Sequence, residues 1–227
     1  MSAVTGILLI VLPVAFNGAF AALAATFGYP DILRRPTSEV LARFRAGGTR
    51  LVALWWAFAF SAVVFAPVAV MLSGELQGAD AALLSVTTTL GVLAALVQFL
   101  GLVRWPFMVP HLAREAETAS PARAEAIEVV FQSFNRYLGV AVGEHLGYLF
   151  TGAWSALVGV AILQSAALPW WLGVAGIVIG AVLAACSLEF VGPFERDGWK
   201  LAGAVTPVAY IAWSAWLVAV GVFVLVQ

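Results

Sequence analysis

One cysteine, one lysine and two histidines are all that this 227-residue chain contains of those three types. With Cys186 alone, neither an internal disulfide nor a cysteine zinc cluster can form. Lys200, the single lysine, lies in a polar segment, which excludes a Schiff base inside an apolar helix. His111 follows Pro110 beyond an apolar run, where an interfacial, solvated histidine is expected, and His145 lies inside another run. At different depths, and without a Cys-x-x-Cys-His motif, the pair makes no haem clamp. No phosphate-binding glycine loop, no Gly-x-Ser-x-Gly and no His-Glu-x-x-His occurs, so the residues name no catalytic set, no metal site and no cofactor. Charge is scarce too, at 10% of residues against roughly 25% in an ordinary soluble domain. So few charged side chains cannot cover a soluble fold, and the basic ones are too sparse for nucleic acid.

What is abundant is apolar: 63% of residues, gathered in long runs between short polar segments. A spanning helix needs about 20 such residues to cross roughly 30 Å of hydrocarbon. Six runs qualify, at about 5–28, 51–72, 81–103, 138–164, 169–190 and 203–226. Strict period-two alternation, the mark of a membrane barrel, is missing. The expected fold is therefore all-α, a bundle of six transmembrane helices in three helical hairpins, forming one domain over 1–227. The first run is too long for the core of a signal peptide and has no basic residue before it, so it reads as a retained helix.

The basic residues orient the bundle. Arg34, Arg35, Arg43, Arg45 and Arg50 lie between helices 1 and 2. Arg104, Arg114, Arg123 and Arg136 lie between helices 3 and 4, and Arg196 and Lys200 between 5 and 6. Translocation of Lys and Arg is disfavoured, which places these three segments in the cytoplasm and both termini outside, in a cell (plasma or inner) membrane. Two of the inner segments read as amphipathic helices on the headgroups. Pro36-Thr37-Ser38-Glu39 is a start signal with a Thr cap, and Val40, Leu41 and Phe44 share one face. Ser120-Pro121 is a second start, followed by Ile127, Val130, Phe131 and Phe134 at helical spacing. Phe27-Gly28-Tyr29-Pro30, Arg104-Trp105-Pro106-Phe107 and Gly192-Pro193-Phe194 each set proline beside an aromatic where an odd-numbered helix should end. Either an internal repeat or the common chemistry of interfacial helix ends accounts for the likeness.

Helix 4 carries the most information. Gly139, Gly143, Gly147, Thr151, Ser155 and Gly159 recur every four residues, a stripe of small side chains that admits a close helix neighbour from this chain, a second copy or a membrane partner. Glu144 and His145 sit on the same helix, and Glu144 lies about 8 Å into the hydrocarbon at about 1.5 Å per residue. An acid at the centre of a span costs roughly 2.5–3.5 kcal/mol, so Glu144 must be neutral, paired or facing a cavity. In α-helical register it shares a face with Tyr148, Thr151 and Ser155, while His145 points elsewhere and must find a partner on another helix. Gln98, Tyr210 and Glu189 fall at a similar depth, and Arg104 is expected to reach Glu144 and hold it ionised. Trp213, Trp216 and Phe16 would floor such a pocket. Thr87, Thr88 and Thr89 should bond back to their own helix.

The run Asn135-Arg136-Tyr137-Leu138-Gly139-Val140-Ala141-Val142-Gly143-Glu144-His145-Leu146-Gly147 resembles a bacterial membrane family known as domain of unknown function 4386. Arg104-Trp105-Pro106-Phe107, Trp199-Lys200-Leu201-Ala202-Gly203 and Tyr210-Ile211-Ala212-Trp213-Ser214 are similar to it as well. The resemblance covers nearly the whole chain and implies a multi-pass membrane protein without implying an activity or a ligand. Three functions remain open. The first is a pocket around Glu144, His145, Gln98, Tyr210, Tyr148 and Arg104 that binds or transports a small or amphipathic ligand. The second is a structural or regulatory subunit in which the same groups only lock helices together. A membrane enzyme is third, weakened by the missing catalytic set.

Overall fold

The computed structural model describes residues 2–227 and is helical nearly throughout. Its long elements are α1 (Ser2–Phe27), α2 (Thr37–Glu75), α3 (Ala81–Glu115), α4 (Pro121–Phe134), α5 (Gly147–Ser165), α6 (Trp170–Cys186) and α7 (Lys200–Leu225). A π-helical segment, Asn135–Leu146, joins α4 to α5, and short 3-10 turns occur at Asp31–Arg34, Ala116–Thr118, Ser187–Phe190 and Gly192–Phe194. With α4, the π segment and α5 forming one rod over Pro121–Ser165, six helices are long and apolar enough to cross a membrane among the described residues. Large apolar side chains such as Val14, Phe107, Val208 and Ile211 lie exposed along their outer faces. Water would not tolerate that surface, and lipid does.

Consecutive helices are neighbours and α7 returns to α1, so the spans form a closed up-and-down ring. Polar contacts identify its two ends. At one, Ser2 and Thr5 hydroxyls donate to the Glu75 carboxylate at 2.8 and 3.0 Å, and the Asp80 amide donates to Gln164 at 3.0 Å. At the other, Gln132 donates to the Thr37 hydroxyl at 2.9 Å, and Arg45 and Arg136 meet Glu117 and Glu195 at 3.9 and 2.8 Å. All three arginine-bearing segments therefore gather at one end, called here the basic end.

Two apolar cores fill the ring. One, in the half away from the basic end, packs Leu9, Phe65, Leu72, Trp154, Leu172 and Trp216. The other lies at the basic end and includes Phe27, Val40, Leu41, Phe44, Trp55 and Trp105. It corrects the expectation for the segment after Pro36. Val40, Leu41 and Phe44 are buried against protein, not laid on headgroups, because α2 turns at Gly48 (φ 55°, ψ −153°) and folds its first turns back over α3. The left-handed φ makes that bend easy only for glycine. Thr37 does not cap α2: Pro36 occupies the cap, and the hydroxyl serves Gln132 instead. Ser120 does cap α4, accepting the Arg123 amide at 3.4 Å. Ile127 and Phe131 are buried, whereas Val130 and Phe134 stay exposed.

A second correction concerns α3. Pro106 does not end it; the helix runs through Pro106 and Pro110 to Glu115. Each proline removes one backbone bond, but Trp105, Val109, Leu112 and Ala113 are buried beyond the expected stop, and that burial outweighs the loss. His111 accordingly lies on the helix, exposed. The shared proline plan of the three odd helices fails at this point, since Pro30 and Pro193 stand in turns and Pro106 does not. Thr87, Thr88 and Thr89 bond back to Leu83, Leu84 and Ser85 carbonyls at 2.7–2.9 Å, as expected.

Candidate functional site

The four-residue stripe on the fourth span does not meet one neighbour along its length. Gly139 lies under the Arg104 guanidinium, Gly143 against Gly101, and Gly147 against Gln98, all on α3. Gly159 instead meets Gly173 of α6, and Ser155 faces Gly176 of α6 and the Trp213 indole of α7. An α-helix turns about 100° per residue, so a four-residue step overshoots a full turn by about 40°. Over α5 the stripe therefore winds from α3 towards α6. In the π segment the bonds run from i to i+5 and the turns are wider, so Gly139 and Gly143 stay on the α3 side.

The wider turn also changes which side chains share a face. A smaller angle separates neighbours, and both Glu144 and His145 line one cavity, where α-helical spacing had set them apart. Arg136, Val140 and Tyr148 line it from the same rod, and Cys186, Ser187, Glu189 and Glu195 close it from the end of α6 and the turns beyond. The cavity has a volume of about 190 Å³ and lies at the basic end. Because α6 stops at Cys186 and tightens into a 3-10 turn, the Ser187 carbonyl is free of the α-helical ladder. The His145 ring takes it at 2.7 Å through Nδ1. A carbonyl can only accept, so Nδ1 carries the proton, and the Nε2 of a neutral ring is left as an acceptor.

Other residues of the expected pocket lie outside it. Arg104 does not pair with Glu144. Its guanidinium donates to the Gly101 carbonyl and, at 2.9 Å, to Asn135, and it lies over the Trp105 ring at 5.4 Å. Charge reaches Glu144 from Arg104 only without an ion-pair contact. Gln98 donates to the Thr151 hydroxyl at 2.9 Å, Ser155 donates to the Thr151 carbonyl, and the Trp213 indole donates to Ser155 at 2.9 Å. That chain joins α3, α5 and α7 in the interior. Tyr210 packs edge-on against Tyr148 at 5.3 Å, behind the cavity wall. Neither Trp213 nor Trp216 floors the cavity; Trp216 donates to the Leu172 carbonyl in the far core.

Glu144 stands apart from this network. It is sunk in the rod, it lines the cavity, and among the described residues neither its carboxylate nor that of Glu189 has a hydrogen-bond or ion-pair partner. Nearby Arg136 is already committed, donating to the Glu195 carboxylate at 2.8 Å and its carbonyl at 3.0 Å. The parts that sequence reasoning passed over are Arg136, at the start of the π segment, and Ser187 and Glu195, placed by turns after α6 that no periodicity announces. Tyr29, outside the spans, was passed over as well. It packs on Trp55 at 5.0 Å, and burial, helped by the Glu144 charge and opposed by Arg104, raises its phenol to about 12.

The family model described as domain of unknown function (DUF4386) matches residues 4–221. The chain belongs to the DUF4386 family. No curated protein and no solved structure matches it. The matched residues include the π segment and every residue that lines the cavity.

Proposed function

We propose that this multi-pass DUF4386 protein binds a small or amphipathic ligand in the cavity beside its π segment. In this reading the basic end faces the cytoplasm, both termini lie outside, and the cavity opens inward. The observation that carries it is Glu144, a deeply placed carboxylate that lines a cavity and has no partner among the described residues. Retaining such a group is costly in a membrane, and intramembrane acids mark ligand or ion sites for that reason. A π-helical insertion is rare and is found mostly at functional sites, and here it turns Glu144 and His145 to one side. Apolar Val140 and Val191 supply walls for a hydrocarbon portion. The far half is packed with Trp154, Trp213 and Trp216, which favours binding over conduction.

The structural alternative has its own support. The Gln98–Thr151, Trp213–Ser155, Arg104–Asn135 and His145–Ser187 bonds each tie separate segments together. Glu144 does not fit that pattern. Purifying the protein in mild detergent and identifying co-purifying molecules by mass spectrometry separates the two. A ligand held by wild type and lost from folded Glu144→Gln and His145→Ala supports the cavity. Empty wild-type protein, with both variants unfolding, assigns these residues to helix locking.

A further inference from the structure

Resting on the cavity reading, we infer that the ligand is an organic cation, a protonated amine carrying a short apolar tail. The cavity is richer in unpartnered carboxylates than in unpartnered donors, of which the Tyr148 hydroxyl is one. Glu144 and Glu189 both line it, and neither carboxylate has a hydrogen-bond or ion-pair partner among the described residues. His145 spends its one N–H on Ser187 and turns an acceptor outward when neutral. The cations nearby are occupied: Arg136 by Glu195, Arg104 by Gly101 and Asn135, and Arg34, in range of Glu189, by Asp31 at 3.3 Å. An anion would meet two unpartnered carboxylates, with only the Tyr148 hydroxyl and the spare N–H groups of Arg136 to receive it. A neutral alcohol would satisfy one acceptor and bring no charge to either carboxylate. An ammonium group offers three donors and a charge of the needed sign, and the Tyr148 ring lines the same cavity as a face on which a cation is favoured. A volume of about 190 Å³ limits the tail to a few carbons inside the cavity.

The test uses the full chain in detergent and three probes of one shape: n-butylammonium, 1-butanol and butyrate, with binding followed by calorimetry. The expected result is saturable butylammonium binding, about tenfold or more tighter than 1-butanol, with no butyrate binding. Glu144→Gln should weaken butylammonium about tenfold while leaving 1-butanol unchanged, and Glu189→Gln, at the rim, should weaken it less. If Glu144→Gln does not fold, Glu189→Gln and the wild-type preference among the probes still decide. Equal binding of 1-butanol and butylammonium overturns the cation inference but leaves the cavity reading standing. Binding of none of the probes, with no co-purifying ligand, overturns both. Repeating the titration in nanodiscs with and without phosphatidylethanolamine distinguishes the source of the amine. Competition by that lipid assigns a headgroup, and unchanged binding assigns a free amine.

Discussion

An alanine at Gly101 would place its Cβ 2.6 Å from Gly143 Cα, 3.0 Å from the Leu138 carbonyl and 3.2 Å from Gly143 N. All three neighbours are backbone atoms of the π segment, so no side chain can swing aside. Relief requires α3 and the π segment to separate by about 1 Å, the shortfall from an ordinary carbon–carbon contact of about 3.5 Å. Overpacking of this kind costs about 1–3 kcal/mol, and alanine recovers up to about 1 kcal/mol through helix propensity. The expected net loss is up to about 2 kcal/mol, which at about 2–4 °C per kcal/mol lowers the melting temperature by up to about 8 °C for a chain of this length. Gly18 provides the control, since an added Cβ there meets nothing within 4 Å. Gly18→Ala should match or exceed wild type. Thermal unfolding in detergent, read as the loss of the monodisperse peak on size-exclusion chromatography, measures both. Gly101→Ala as stable as Gly18→Ala would refute the close approach of α3 to the π segment.

Three further outcomes follow from the same geometry. Gln98→Leu removes the donor to Thr151 and should cost about 0.6 kcal/mol, the average for a hydrogen bond between membrane helices; a stabilised variant would contradict the α3–α5 bond. Tyr29, held protonated to about 12 in the folded chain, binds its proton more tightly folded than unfolded, so stability falls as pH rises above about 10, the ordinary tyrosine value. Tyr29→Phe should flatten that alkaline loss in a pH series of melting curves, and superimposable profiles would refute the assignment. In a Cys186→Ala background, Ser73→Cys should react with an impermeant thiol reagent added outside intact cells, and Ala119→Cys only after the membrane is opened. The reverse pattern would invert the proposed orientation.

The six spans were legible because hydrocarbon sets their length and composition, and the arginines were legible as one end because an even number of crossings brings alternate loops together. What was not legible depended on contacts distant in sequence. Pro106 and Pro110 read as a stop, and only the burial of Trp105, Val109 and Leu112 shows why α3 continues through them. Val40, Leu41 and Phe44 carry the same apolar face whether they meet lipid or protein, and the bend at Gly48 decides between the two. At the site, Glu144 and His145 were visible as costly residues in an apolar run. Their common cavity was not, because α-helical geometry separates neighbours by about 100° and the π segment does not. Arg104 seemed matched to Glu144 by depth and charge. It turns instead to Gly101 and Asn135, partners that depth alone does not single out. Glu189 stood at the right depth, whereas Ser187 and Glu195 reach the cavity through irregular turns that carry no periodic signal.

The central claim is that Glu144 serves the cavity and does not lock helices. An electron cryomicroscopy map of the purified protein in nanodiscs, detailed enough to place side chains, tests it most directly. The account predicts non-protein density in the cavity within hydrogen-bond distance of the Glu144 carboxylate, between the π segment and the turns after α6. A collapsed cavity, with Glu144 bonded to Arg104 or another protein donor, would contradict it.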